Sequence, residues 1–420
     1  MVLTHANELS EPFSWPEPGV TRVPFRLFSD PDIYDLEQQR IFRGKVWNYL
    51  CLEIDISNPG DFKTTFIGET PIVVIRDENG DINALVNRCA HKGALVCLQE
   101  RGNKAKNGMT CVYHSWTYDL RGQLKGIAFR NGIKGKGGMP DDFDPAKHRM
   151  QRINVEIYCG LVFGSFADDM PSMEEYLGEK LSWMVKRNFD RPLKPLGVHS
   201  QIIHNNWKLY AENVRDSYHA TLLHTFYVTF KVNRMDMDGG IIMGDDKWHH
   251  ISYAKRHELD ESDEYDKAGV HAAQYGSKLS GPELLKSWDE FPDGITHCIQ
   301  TVFPNLTFHY TLNSLCVRFF VPRGVDETEL FWIYLGYEDD TDEQTRMRVV
   351  QGNLTGTAGL VSLEDGCINE FVQRGTHMSA DKEAFLEMGG RDAESSENSR
   401  ATEAAIRGFW EGYCGIMGFR

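Results

Sequence analysis

Polar and apolar positions alternate with two different periods along this 420-residue chain. Residues 1–40 open on proline-rich turns (Trp15-Pro16-Glu17-Pro18-Gly19). An acidic helical stretch follows from Asp30 to about Arg43 and predicts a lead-in helix that packs on a later domain. From Val46 the texture turns to short β-branched runs. Thr64–Ile67 and Pro71–Arg76 read as strands. Asp77–Asp81 reads as a hairpin turn, because Asn79-Gly80 tolerates positive φ, and Ile82–Asn87 continues from it. Tyr118–Leu124 predicts a second hairpin and Cys159–Phe166 a buried closing strand. The period becomes helical from Met173 to about Asn188, extended near Leu196–His204, and helical again from Trp207 to Thr225. Residues 232–295 are polar and predict loops and lids, with the acidic run Glu258 to Asp266 as solvated surface. His297–Val302, Leu306–Tyr310, Cys316–Val321 and Leu330–Tyr337 predict an antiparallel sheet. Helices are expected over Glu343–Leu354, Glu364–Gly375 and Ala401–Met417, with a polar loop from Asp381 to Arg400. No internal repeat is visible. The pattern predicts an α+β chain in three parts: a lead-in segment 1–40, a β-rich domain 41–166 and a larger domain 167–420 with an antiparallel sheet flanked by helices.

Composition narrows the function classes. The chain is 41% hydrophobic and 25% charged, as expected for a globular protein long enough to bury two cores. Its net charge of −16 argues against nucleic acid or an anionic membrane as partner. No apolar run approaches spanning length, and the stretch Met1–Ser10 has neither the basic end nor the apolar core of a signal peptide. Cys51, Cys97, Cys159, Cys298, Cys316, Cys367 and Cys414 lack pair spacing, which predicts free, mostly buried thiols in a reducing cytoplasm.

Candidate chemistry begins with Cys89-Ala90-His91 and, nineteen residues on, Cys111-Val112-Tyr113-His114. One Cys and one His arrive in each loop. Thiolates on one iron and neutral imidazoles on the other suit a [2Fe-2S] cluster; a structural zinc site is the alternative, although zinc fingers usually pair their cysteines. With Ser115-Trp116 after it, this stretch resembles the Rieske motif. The positions of the extra cysteine pair of respiratory Rieske proteins hold Ala94 and Tyr113, so the resemblance is to the Rieske domains of oxygenases and their ferredoxins.

The second constellation is Glu212-Asn213-Val214-Arg215-Asp216-Ser217-Tyr218-His219, closing at His224. Asp216 and His219 share a helix face. His219 and His224, five apart, would splay by more than a quarter turn on an ideal helix, so convergence needs a distorted turn or a helix end. Two imidazoles and a carboxylate form the facial triad of mononuclear iron(II) oxygenases; two core histidines bonded to neighbours is the bland alternative. The segment resembles the iron motif of the large subunits of ring-hydroxylating oxygenases, Asp-x-x-His with a second His shortly after. That resemblance implies a distant third ligand, Asp365, in a stretch from Gly356 through Gly359 to Glu364-Asp365, with Glu364 as its competitor. It implies that Asp216 bridges His114 of one subunit and His219 of the next, in a ring of at least three chains, and that Asn213 stands beside the iron without binding it. It also implies electrons from NAD(P)H through a separate reductase, at times with a ferredoxin, and a small β subunit in an α3β3 ring. Dioxygen would be added to an aromatic ring.

The local texture is most similar to the branch acting on aromatic carboxylates: terephthalate first, then anthranilate and salicylate. Such a substrate needs a cation. Arg318, inside the apolar run Cys316-Val317-Arg318-Phe319-Phe320, is one candidate, since an unpaired charge there is costly. Arg400 is the other, and each has a structural salt bridge as its alternative role. Two readings from other classes stay open at this point: a Rieske electron carrier with a structural second domain, and a zinc-stapled binding protein.

Overall fold

Asp30 starts the first helix as its chemistry dictates. Its Oδ1 accepts the N–H groups of Asp32 and Ile33 at 2.8 and 3.3 Å, and Pro31 takes the first helical position, where no N–H is needed. The helix Pro31–Glu37 widens into a π-helical turn, Gln38–Phe42. Its inner face delivers Glu37 to the interior. There Oε1 accepts from Lys208 Nζ at 2.6 Å and from the Tyr413 hydroxyl, while Oε2 accepts from Trp207 Nε1 at 2.7 Å. Glu37 and Lys208 are both fully buried.

The computed structural model describes residues 9–255, 264–270, 278–357 and 359–420. The chain divides into two units: Phe42–Met173, and the segment up to Ile41 joined with Glu174–Arg420. No helix among the described residues is long and apolar enough to cross a membrane.

In the first unit, seven antiparallel strands lie in the order Asn48–Leu52, Leu161–Ser165, Arg152–Tyr158, Ile82–Val86, Thr70–Arg76, Asp61–Ile67 and Arg101–Asn103. A small three-stranded sheet is formed by Met109–Thr110, Thr117–Tyr118 and Leu124–Gly126. The expected hairpins are present. In the first turn Asp77 Oδ1 accepts from Asn79 N–H at 2.9 Å and Asp81 N–H at 3.1 Å, with Gly80 at φ +91°. Asp77 Oδ2 accepts from Arg121 Nε at 2.8 Å, which ties the first hairpin to the second.

In the second unit, seven antiparallel strands follow the order Leu193–Ile203, Thr328–Tyr337, Ser314–Pro322, Leu306–Thr311, Ile295–Val302, His250–Lys255 and Gly239–Met243. The helix Asp342–Thr355 packs on strands Ser314–Pro322 and Thr328–Tyr337, and Ala404–Met417 packs on Gly239–Met243. The four strands expected between His297 and Tyr337 are all present.

Several elements differ from expectation. Gly178, at φ +70°, splits the helix expected from Met173 into Met173–Leu177 and Glu179–Phe189. The stretch Trp207 to Thr225 is three short helices, Trp207–Asn213, Ser217–Ala220 and Thr225–Thr229. Residues 232–295 contribute two strands of the main sheet as well as loops. Gly239-Gly240 hid the first of them: a Cβ on Gly239 would lie 2.1 Å from the Tyr253 carbonyl oxygen, so packing demands the residue type that argues least for a strand. Within the loop Asp381 to Arg400, Glu383–Phe385 pairs with Arg22–Pro24. Of the acidic run, residues 258–263 lie outside the described residues.

Replacing Glu37 with Gln leaves the Lys208 ammonium buried with no counter-charge, a loss of about 3–5 kcal/mol. A Glu37→Gln variant should unfold several degrees earlier on heating; an unchanged midpoint would show that the pair does not hold the lead-in segment.

Candidate functional site

Two loops of the first unit fold alike. The Cys89 N–H reaches Ala94 O at 2.8 Å and the Gly93 N–H returns to Cys89 O at 3.0 Å; the Cys111 N–H reaches Trp116 O at 2.9 Å and the Ser115 N–H returns to Cys111 O at 3.0 Å. Gly93 and Ser115 take equivalent places, with φ of +80° and +55°. Both cysteines are buried in an apolar cluster with Met109, Trp116 and Tyr118, and neither forms a disulfide. His91 is exposed and His114 half-buried. The two rings lie 4.6 Å apart, and Trp116 stacks on His91 at 4.8 Å. The Tyr118 hydroxyl accepts from Ala90 N–H at 3.0 Å and sits 3.3 Å from Cys89 Sγ, placed to donate to a thiolate. Two buried sulfur donors and two more exposed imidazoles, one of each per loop, fit the donor set that a [2Fe-2S] cluster of this kind would need.

In the second unit the broken helices solve the spacing problem of His219 and His224. Asp216 caps Ser217–Ala220: its Oδ1 accepts the N–H groups of Tyr218 and His219 at 2.9 and 3.0 Å. The chain then turns, with both Leu222 and Leu223 N–H on His219 O at 2.8 Å. His224 is the residue that starts Thr225–Thr229. A helix end brings the imidazoles together, with ring centroids 5.3 Å apart. Asp365 arrives from the helix Leu360–Thr376. Its Oδ1 lies 3.3 Å from His219 Nε2 and 3.4 Å from His224 Nε2. Ligand atoms of the three residues lie within 4.8 Å of one another. Asn213 Nδ2 faces the same point, 3.2 Å from Asp365 Oδ1 and 3.3 Å from His219 Nε2.

The far side of each imidazole meets another acid. Asp216 Oδ2 lies 3.5 Å from His219 Nδ1, and Glu364 Oε2 lies 2.8 Å from His224 Nδ1. Glu364, a competitor for the third ligand by sequence, thus sits behind His224, where it fixes ring and tautomer. Burial would raise the pKa of Asp365, yet hydrogen bonds from both imidazoles hold it well below the usual carboxylate range.

A cavity opens beside these groups. It is lined by His219, His224 and Asp365 together with Arg318, Arg400, Tyr227, His297 and His309, and by the apolar Ile299 and Val361. Strand register explains the floor. Ser252, Ile299, His309 and Cys316 oppose one another across four strands; His297 opposes Thr311, and Thr307 opposes Arg318. All therefore share one sheet face. Arg318 Nη1 donates to the Tyr210 hydroxyl at 3.3 Å, and its guanidinium lies 4.6 Å from the Trp332 ring centre. Arg400 donates to Asn233 Oδ1 and to the Arg234 carbonyl. Among the described residues neither arginine has a carboxylate at ion-pair distance, and Arg318 Nε and Nη2 and Arg400 Nε are buried without an acceptor. Burial lowers the pKa of Arg400 to about 10. His297 and His309 were missed by the sequence reasoning. Their signal was two imidazoles in apolar strands, in phase with Arg318 once the register is known.

Two family models match the chain: the Rieske [2Fe-2S] domain over residues 46–134 and the catalytic domain of the ring hydroxylating alpha subunit over residues 182–417. The chain is 47% identical to the terephthalate 1,2-dioxygenase terminal oxygenase component subunit alpha 2 of Comamonas sp., over 95% of this chain and 96% of that protein. It is 41% identical to the anthranilate 1,2-dioxygenase large subunit of Burkholderia cepacia, over 100% and 98%. Identity to the salicylate 5-hydroxylase large oxygenase component of Ralstonia sp. is 38%, over 96% of each. The crystal structure of naphthalene 1,2-dioxygenase from Rhodococcus sp. bound to indole matches with a TM-score of 0.77 at 25% identity, covering 94% of each chain.

Without an ion, burial would lower the pKa of His219, but Asp216 and Asp365 raise it to about 10; Asp365 and Glu364 likewise raise that of His224 against burial. An ion held by His219 would have to displace the proton that this raised pKa retains. Fe(II) affinity of the metal-free protein should therefore rise with pH, roughly tenfold per unit for each proton displaced. Affinity that is flat with pH in a metal titration would contradict this.

Proposed function

Since this chain belongs to the ring-hydroxylating dioxygenase alpha subunits, we propose that it is the oxygenase component for terephthalate, which it converts to a cis-dihydrodiol. The family's two cofactors are a [2Fe-2S] cluster and a mononuclear iron. Cys89, His91, Cys111 and His114 would hold the first; His219, His224 and Asp365 would hold the second. When bound, the mononuclear iron supplies the activation of dioxygen.

The chain's own residues bind and orient. Asp216 and Glu364 hold the imidazoles of His219 and His224 from behind. Asn213 stands beside them. Arg318 and Arg400 take the substrate's carboxylates, and Ile299 and Val361 border the ring without competing polar groups. The observation that carries this reading is that Arg318 and Arg400, buried and without a carboxylate at ion-pair distance, line the cavity that also holds His219, His224 and Asp365; the third buried arginine of the lining, Arg215, donates to Ala211 O at 2.7 Å and lies 4.7 Å from the Phe409 ring centre. A buried charge without a partner is costly, and a carboxylate accepting a forked pair of N–H groups offsets that cost. Two such cations suit a ring with a carboxylate at each end.

Electrons come from NAD(P)H through a separate reductase; among the described residues no strand is followed by a Gly-x-Gly-x-x-Gly. The active unit is an α3β3 assembly, a ring of three alpha chains each accompanied by a small β subunit, in which Asp216 would link His114 of one copy to His219 of its neighbour.

Turnover of terephthalate by the reconstituted system tests the substrate. Arg400→Ala should lower kcat/KM for terephthalate by about 100-fold or more and spare a monocarboxylate such as anthranilate. Equal losses on both remove Arg400 from the site, and turnover of anthranilate or salicylate alone rejects terephthalate. For the metal, Asp365→Asn should purify without mononuclear iron, whereas Glu364→Gln should weaken iron binding about 10–100-fold. Both should keep the electron-spin signal of the reduced cluster. Iron retained by Asp365→Asn would reassign the third ligand.

A further inference from the structure

Resting on the reading of this cavity as an aromatic-carboxylate site, we propose that His297 is a specificity-determining hydrogen-bond donor to the substrate carboxylate, with Thr311 and His309 as the positioning residues that fix its tautomer. Register brings the three together. His297 faces Thr311 across the strand pair Ile295–Val302 and Leu306–Thr311, and His309 lies two residues before Thr311 on the same face. All three are buried, and both histidines line the cavity with Arg318 and Arg400.

Thr311 Oγ1 lies 2.9 Å from His297 Nδ1 and 2.7 Å from His309 Nε2. A hydroxyl has a single proton to give. When it donates to His297 Nδ1, His309 must donate its Nε2–H to the hydroxyl. His297 then carries its own proton on Nε2, the nitrogen left for a ligand. The reverse order puts a lone pair there instead. Burial and the cations Arg400 and Arg318 lower the pKa of His297 to about 3, so the ring is neutral and carries one proton.

The occupant decides between the two orders. A carboxylate gripped by a guanidinium presents further lone pairs, which an Nε2–H meets and an Nε2 lone pair opposes. Anion binding therefore selects the first order. A neutral donor also suits the place physically: it adds a hydrogen bond without a third buried positive charge beside two guanidiniums.

The test is equilibrium binding of terephthalate to the resting holoenzyme by isothermal titration calorimetry. His297→Phe should weaken binding about 10–100-fold, and His297→Gln, which offers an N–H at similar reach, should recover it to within about fivefold. Thr311→Val should lose about three- to tenfold, and Thr311→Ser, which keeps the hydroxyl, almost nothing. In steady state the losses should fall on KM, with kcat within about threefold. His297→Phe binding as tightly as the unaltered protein, while Arg318→Ala has lost binding, overturns the proposal and leaves the carboxylate reading intact. Thr311→Val equal to Thr311→Ser overturns the positioning role. Failure of the unaltered protein to bind terephthalate, anthranilate or salicylate overturns the reading itself and this proposal with it.

Discussion

Opposite charges share one cavity of this chain and do not neutralise each other. Asp216, Glu364 and Asp365 crowd two imidazoles, while Arg318 and Arg400 line the same space. At an effective dielectric of about 20, unit charges about 4 Å apart attract by about 4 kcal/mol. Both arginines are held by neutral acceptors: Tyr210 and the Trp332 face for Arg318, Asn233 and a backbone carbonyl for Arg400. A fold built only for stability would pair these charges or omit them. Holding them apart leaves negative charge concentrated in one region and positive charge in another.

The two regions are held by different kinds of structure. On the positive side, Arg318 and the histidines His297 and His309 rest on the sheet, where strand register fixes which residues share a face, whereas Arg400 comes from the coil before the last helix. His297, His309, Thr311 and Arg318 need only the right parity in neighbouring strands. The negative side, with its two imidazoles, needs side chains to converge. Three short helices and the start of a long one provide it, each break re-aiming the chain. Asp216 belongs to both levels, because the carboxylate that starts a helix also stands behind His219.

Legibility in the sequence follows the same division. The Cys–His loops were readable because the donor atoms come from short segments whose spacing is itself the geometry. His219 and His224 were readable as a pair, but the break that joins them was not: no proline or glycine marks it, and a cap forms it. Adjacent acids at positions 364 and 365 could be named only together, since their separate directions depend on where the long helix docks. Arg318 stood out as a charge among apolar neighbours. His297 and His309 did not, because a histidine in a buried strand is ordinary until its register is known. The contact between Glu37 and Lys208 spans 171 residues and leaves no local trace.

The imidazoles respond to the charge gathered on the negative side. Three carboxylates surround His219 and His224, and Asp216 and Glu364 each address an Nδ1 atom. An Nδ1–H directed at an acid leaves an Nε2 lone pair directed at Asp365, where two acceptors would meet. That arrangement is unfavourable when nothing positive lies between them, so the pKa values of both imidazoles rise despite burial. A proton on His219 occupies the place of a cation. A divalent ion supplies more charge at the same point and lets each imidazole return to the neutral form that binds metal. The raised pKa of His219 is therefore a property of the acids taken together, and those behind the imidazoles, as much as Asp365 in front, concentrate the negative charge there.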